Sequence, residues 1–318
     1  MGISIIKIRQ SNTEKWGILF QNTIKVFKNQ PTTLKELLTN TANYTNNENL
    51  GNESIDFNQA EILAPISSPV RVVCQGVNYA SHRAESALDN TSKGNVMFGK
   101  DESSITGAFS DIMRPKNCEC LDYEVELGII IKKDILKPTQ ISADNQHEYI
   151  AGLVLANDMS PRDLQYKEDY AQWYKAKSCR TMLPLGPILY LLDKDDFKYL
   201  SNLNIQLWVN DALRQNANTS QLIFKPAETL TEISEFMNLN VGDLLLTGTP
   251  GGVVIKAPSK FLQGIGTWLL SNEKKVEILR KKKAGYLQDG DIIKARIFSD
   301  DNKIDLGTQI NKIVPYGF

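Results

Sequence analysis

The run Leu121-Asp122-Tyr123-Glu124-Val125-Glu126-Leu127-Gly128-Ile129-Ile130-Ile131 places two carboxylates, Glu124 and Glu126, inside an otherwise apolar segment. In an extended strand side chains alternate between faces, so these two point one way while Val125 and Leu127 point the other. Such a pair is half of a site for a hard cation, and it also suits the wetted face of an amphipathic strand. A third carboxylate, Asp158, follows the apolar run Leu153-Val154-Leu155-Ala156, at the end of a second strand. A divalent ion such as Mg²⁺ takes carboxylates from more than one element and keeps open positions for substrate, an arrangement that Glu124, Glu126 and Asp158 can supply. Alone, Asp158 would serve equally as a turn or helix-capping residue.

Clustered carboxylates repel one another, so cations are expected beside them. Arg162, Gln165 and Lys177 lie close in sequence to Asp158 and offer two cations and an amide. Upstream, His82 and Glu85 are spaced to share one side of a helical turn, which suits a histidine polarised by a carboxylate and acting as a general base on water. An ordinary exposed helix would carry the same two residues. The segment from Gly242 to Gly252 reads as a strand running into a glycine-rich turn whose amides can meet an anion. It is not a P-loop, and no Gly-x-Ser-x-Gly elbow supports a serine nucleophile.

These residues need a folded body to hold them, and 318 residues suffice for one large domain or two ordinary ones. Net charge is −1, from 36 basic against 37 acidic residues, which gives no overall field for nucleic acid or a membrane surface. No stretch has the length of a membrane span, and the N-terminus lacks a signal peptide's apolar run. Cys74, Cys118, Cys120 and Cys179 form no Cys-x-x-Cys pair, so reduced thiols and a cytoplasmic location are expected.

Residues 1–65 read as a small N-terminal domain and linker, with strands at Ile3-Ile8 and Trp16-Leu19, a helix near Thr33-Leu38, and a surface loop over Asn40 to Asn58. From there to 318 the chain has short apolar runs at Val70-Cys74, Glu124-Ile131, Ala151-Ala156, Ile205-Val209, Asp243-Leu246 and Asp291-Ile297. Helical patterns are few: Tyr79 to Leu88, Asn145-Ile150, Ser160-Tyr174 with Ser160 as its cap, and Leu230-Met237. The fold expected is α+β, predominantly β. The lysine-rich stretch of about 254–284 reads as a surface insertion.

Taken in order, the segments resemble the fumarylacetoacetate hydrolase family from about Val70 onward. The resemblance rests on Gly76-Val77-Asn78-Tyr79 with His82 and Glu85, Lys100 with Ser103-Ser104-Ile105, Asp122 to Leu127, Asn157-Asp158 with Ser160, Arg162-Asp163 and Gln165, Lys177-Ser178 with Pro184-Leu185-Gly186-Pro187, and Gly242-Asp243 with Thr247-Gly248-Thr249-Pro250. It implies a mixed β-sandwich roll over 66–318, a homodimer, and one Mg²⁺ or Mn²⁺, with Ca²⁺ as an alternative, held by Glu124, Glu126 and Asp158. His82, Glu85 and Lys177 would be catalytic, and Arg162, Gln165, Lys100 and Thr249 would bind substrate. The implied substrate is a small 2-oxo or 2,4-diketo acid. Hydrolysis of its C–C bond, with a metal-stabilised enolate leaving and water activated by His82 and Glu85, is the leading expectation. Decarboxylation, isomerisation or dehydration on the same site is the alternative, and a non-catalytic binding role a further one. Departures from the family pattern are Gly99, Pro161 and Cys179-Arg180, and Arg180, if it faces the cleft, would favour a more acidic substrate.

Overall fold

The computed structural model describes residues 2–85, 94–168, 171–255, 274, 276–277, 280 and 285–317. Most of the 254–284 insertion lies outside the described residues, as does the end of the helix expected over Tyr79 to Leu88.

A twelve-stranded sheet forms the body. Its main path runs Leu50–Asp56, Thr23–Phe27, Thr13–Phe20, Ile3–Gln10, Leu183–Leu191, Ile150–Asn157, Val125–Ile131, Leu244–Leu246, Val72–Gly76 and Val96–Lys100. The first strand, Ile3–Gln10, pairs antiparallel with Leu183–Leu191, so the N-terminal strands extend the sheet that carries the carboxylates. A second sheet of five strands includes Asn204–Val209, Ile292–Phe298 and Asp305–Val314, and the last of these packs against Leu183–Leu191. The architecture is α+β and mostly β, as expected.

Val125–Ile131, Ile150–Asn157 and Leu183–Leu191 are buried along their whole length. Near-continuous apolar runs become strands covered on both faces, because each face then removes apolar area from water. Along Val125–Ile131 the odd-numbered Val125, Leu127, Ile129 and Ile131 enter one core cluster, while Ile130 enters a second with Val154, Leu244 and Leu246. Glu124 and Glu126 share the face of Ile130, at the strand's beginning. Gly128 lies between them and Ile130, and a Cβ there would stand 2.6 Å from Val154 Cγ1 and 2.9 Å from Leu244 Cδ1.

Three local expectations are corrected. The polar stretch Asn40 to Asn58 is not a loop throughout: Thr41–Thr45 is helical and Leu50–Asp56 is the terminal strand of the large sheet. A strand paired on one side and wetted on the other carries polar residues at little cost, which is why composition concealed it. Ser160 does not cap a helix. It pairs with Asp122 in a two-residue bridge, and the expected helix divides into Arg162–Tyr166 and Trp173–Lys177. Asn145-Ile150 holds only a short 3₁₀ turn, Gln146–Glu148, before the strand begins at Ile150.

Candidate metal and substrate site

Pairing of Val125 with Asn157 sets the site, because it brings Asp158 beside Glu124. Asn157 Oδ1 accepts the Glu124 N–H at 2.9 Å, and Asp158 donates its own N–H to the Glu124 carbonyl at 2.8 Å. Glu124, Glu126 and Asp158 then offer carboxylate oxygens within 4.8 Å of one another, all three side chains buried. Three carboxylates from two adjacent strands form an all-oxygen set, the donor chemistry that hard divalent ions prefer. The cluster could hold such an ion.

Three cations converge on it. Lys177 Nζ lies 2.6 Å from Glu124 Oε2, 2.6 Å from Asp158 Oδ2 and 2.6 Å from Ser160 Oγ. It also stands 5.3 Å from the centre of the Phe98 ring, a favourable position for a cation over an aromatic face. Lys100, the last residue of Val96–Lys100, donates to Asp158 Oδ1 at 2.7 Å. Arg162 Nη2 reaches Glu124 Oε1 at 2.5 Å.

The electrostatics follow from that arrangement. Burial alone would push the Glu124 carboxyl up, but Lys177 and Arg162 hold it well below the usual carboxylate range. Glu126 is raised well above that range by burial and by the charges of Asp158 and Glu124. Burial opposes the charge of Lys177, yet Asp158 and Glu124 raise its pKa. Burial lowers the pKa of His82 against the opposing pull of Glu124.

The glycine-rich turn does meet carboxyl oxygens, and they are the chain's own. Gly248 N donates to Glu126 Oε2 at 2.8 Å, with Gly248 at φ +86°. Gly252 N donates to Glu85 Oε2 at 2.9 Å. His82 and Glu85 lie on the helix Ala80–Glu85, as the spacing predicts, but His82 Nδ1 is buried without a hydrogen-bond partner. The two residues are therefore not joined through that nitrogen. Gln165 Oε1 accepts from Arg162 Nη1 at 3.4 Å, while its Nε2 is buried and unpartnered.

Thr249 is differently engaged. Its hydroxyl donates to the Val125 carbonyl at 3.0 Å and accepts from Gln215 Nε2 at 2.8 Å, which makes it a brace for the ligand strand. Gln215 completes that brace by accepting the Val125 N–H at 3.0 Å. Sequence reasoning missed Gln215, a buried amide in a mostly exposed strand with no local signal. It also gave Asp122 no role, although a buried carboxylate two residues before Glu124 was visible as an interruption of the apolar pattern. Arg180 is exposed, three residues beyond the buried Lys177.

The family model described as Fumarylacetoacetate (FAA) hydrolase C-terminal matches residues 71–314. A mitochondrial oxaloacetate tautomerase of Bos taurus is 38% identical over 206 residues, covering 64% of this chain and 64% of that protein. The chain thus aligns with less than two thirds of that relative's length. Among solved structures, the fumarylacetoacetate hydrolase of psychrophilic Exiguobacterium antarcticum superposes with a TM-score of 0.76 at 27% identity, covering 99% of this chain and 100% of that one. The 2-hydroxyhepta-2,4-diene-1,7-dioate isomerase of Mycobacterium marinum gives 0.70 at 26% identity, with 99% and 100% covered. Among the described residues, no helix is long and apolar enough to cross a membrane.

Proposed function

Because the chain belongs to the fumarylacetoacetate hydrolase family, we propose that it is an enzyme of small 2-oxo acids whose reaction is a proton shift between carbon and oxygen, a keto–enol tautomerisation or related isomerisation. The observation that carries this reading is the state of His82. Its Nδ1 is buried and unpartnered, and its pKa is lowered by burial, so the ring is neutral near neutral pH and free to take a proton. A tautomerisation needs one such base and consumes no water. The proton leaves the carbon next to the keto group, the electron pair moves to the keto oxygen, and a proton is returned there.

Glu124, Glu126 and Asp158 would hold the divalent ion, Mg²⁺ or Mn²⁺, and their all-oxygen donor set fits it. Bound there, the ion would polarise the keto and carboxylate oxygens of the substrate as a Lewis acid. Lys177 and Arg162 keep positive charge beside the position where oxygen becomes negative, in a buried site where such charge is effective. Gln165 Nε2, buried and unpartnered, is a donor left for a substrate carboxylate. The name of the 38% identical relative supports oxaloacetate as a first substrate to try.

Hydrolysis of a 2,4-diketo acid is the second reading, favoured by Glu85 lying one turn beyond His82 and by the likeness to the Exiguobacterium enzyme. A homodimer is part of the proposal. So is a reducing compartment, which fits four free thiols and which the cytoplasm and the mitochondrial interior both provide.

The test is to follow enol absorbance of oxaloacetate, and C–C cleavage of acylpyruvates, with Mg²⁺ present. Wild type should speed ketonisation, and His82→Ala should lose roughly 10²-fold or more of that rate. Cleavage without ketonisation would replace the first reading by the second. Neither activity would sink both.

A further inference from the structure

We propose that Asp122 is a positioning residue that holds Arg162 against Glu124 and thereby sets how strongly the carboxylate cluster binds a divalent cation. The inference rests on the metal reading above. Asp122 is fully buried and takes hydrogen bonds on both oxygens. Oδ1 accepts the N–H of Tyr123 and the N–H of Val254, each at 3.0 Å. Oδ2 accepts Ile255 N–H at 3.1 Å, and Arg162 Nε and Nη2, each at 3.0 Å.

The guanidinium is thus divided between two carboxylates, since Nη2 also reaches Glu124 Oε1 at 2.5 Å. A second tie fixes the backbone, because Asp122 pairs with Ser160 and the Arg162 N–H donates to the Cys120 carbonyl at 2.9 Å. Arg162 is therefore tethered to one stretch of chain by both its backbone and its side chain.

Removing the Asp122 charge acts on metal binding through Arg162, whose guanidinium the two carboxylates share. Arg162 then has Glu124 as its remaining carboxylate among these contacts, so it competes with the ion for Glu124 Oε1. Partners that orient ligands in this way typically change metal affinity by roughly 10–100-fold.

Mn²⁺ titration by calorimetry on wild type, Asp122→Asn, Arg162→Gln and the double variant tests this. Asp122→Asn should bind Mn²⁺ roughly ten-fold or more weakly, yet add little loss once Arg162 is already Gln. The double variant removes both charges, so the comparison with Arg162→Gln stands even if Asp122→Asn does not fold alone. An equal loss in both backgrounds, or no loss in either, overturns the proposal. Independently of metal, the Arg162 Nε–H resonance should be distinct and slowly exchanging in wild type and lose both properties when the Asp122 charge is removed. If it keeps them, the positioning role is wrong. If wild type binds no Mn²⁺, the metal reading and the affinity claim fall, and the resonance alone decides whether Asp122 positions Arg162.

Discussion

Lys177 Nζ stands 2.6 Å from Glu124 Oε2, and the same ammonium lies equally close to Asp158 Oδ2. A single cation therefore bridges two of the three carboxylates offered to a metal. Neutralising the cluster and, in the proposed reaction, presenting positive charge to substrate would have opposite consequences for metal binding and for catalysis.

Substituting Lys177→Met separates those roles. Breaking these buried ion pairs should destabilise the metal-free protein by up to roughly 3–5 kcal/mol, because among the described residues Glu124 keeps only Arg162 and Asp158 keeps only Lys100 as a cationic partner in a buried site. Added Mg²⁺ should then raise the melting temperature by more than it does in wild type, since the ion replaces a lost neutralising charge. Turnover should fall by roughly 10²-fold or more even with the site saturated. A melting temperature that responds to Mg²⁺ no more than wild type would show that Lys177 does not compete for the carboxylates.

The two lysines are braced through Asp101, which gives an acid-side prediction. Asp101 N–H donates to Ser178 Oγ at 2.9 Å, and Tyr174 OH donates to Asp101 Oδ2 at 2.5 Å, so the strand ending at Lys100 is tied to the helix ending at Lys177. Hydrogen bonds from the Ser103 side chain, Tyr174 and the Ser103 N–H hold the Asp101 carboxyl down to about 2. Its unfolded value is roughly 3.9. The folded pKa is depressed, so this contribution is complete above the unfolded value and is lost as pH falls from about 4 toward 2. Urea midpoints measured at about pH 5 and about pH 3 should fall less in Asp101→Asn than in wild type, with Tyr174→Phe between them. Equal falls in all three proteins would refute the brace.

Legibility in the sequence followed the distance over which each residue acts. Glu124 and Glu126 could be placed on one face because strand parity is local, and Asp158 was found because its apolar run ends beside it. Charge balance calls for cations near the carboxylates, and the family resemblance is what singles out Lys177 and Arg162. The partners of Asp122 at Val254 and Ile255, and the brace from Gln215 to Val125, join segments far apart in sequence, and no periodicity carries such information. Ser160 read as a helix cap because serine before proline has that local meaning. Its hydroxyl instead donates to the Asp158 carbonyl at 2.8 Å and accepts from Lys177, a choice made by the site. The same held for Thr249, whose hydroxyl is spent on Val125 and Gln215.

Gly248 tests whether the glycine-rich turn anchors Glu126. With φ at +86°, Gly248 directs its N–H to Glu126 Oε2 at 2.8 Å, and a Cβ there would lie 2.9 Å from Asn78 Cβ. Gly248→Ala must therefore adopt a backbone conformation that costs an L-residue roughly 1–2 kcal/mol, and it must also move Asn78. Asn78 has little freedom, since its amide donates to the carbonyls of Phe224 and Thr247 at 3.0 and 2.9 Å. The strain is relieved most readily by turning the Gly248 peptide, which withdraws the N–H from Glu126. Two changes should then appear together: a lower melting temperature without metal, and a smaller rise on adding Mg²⁺ because Glu126 is no longer held toward Glu124 and Asp158. Gly128→Ala, which crowds Val154 and Leu244 instead, should lower the melting temperature and leave the Mg²⁺ response intact. If both variants lose the Mg²⁺ response equally, the loss reports general destabilisation, and the anchoring role of Gly248 is wrong.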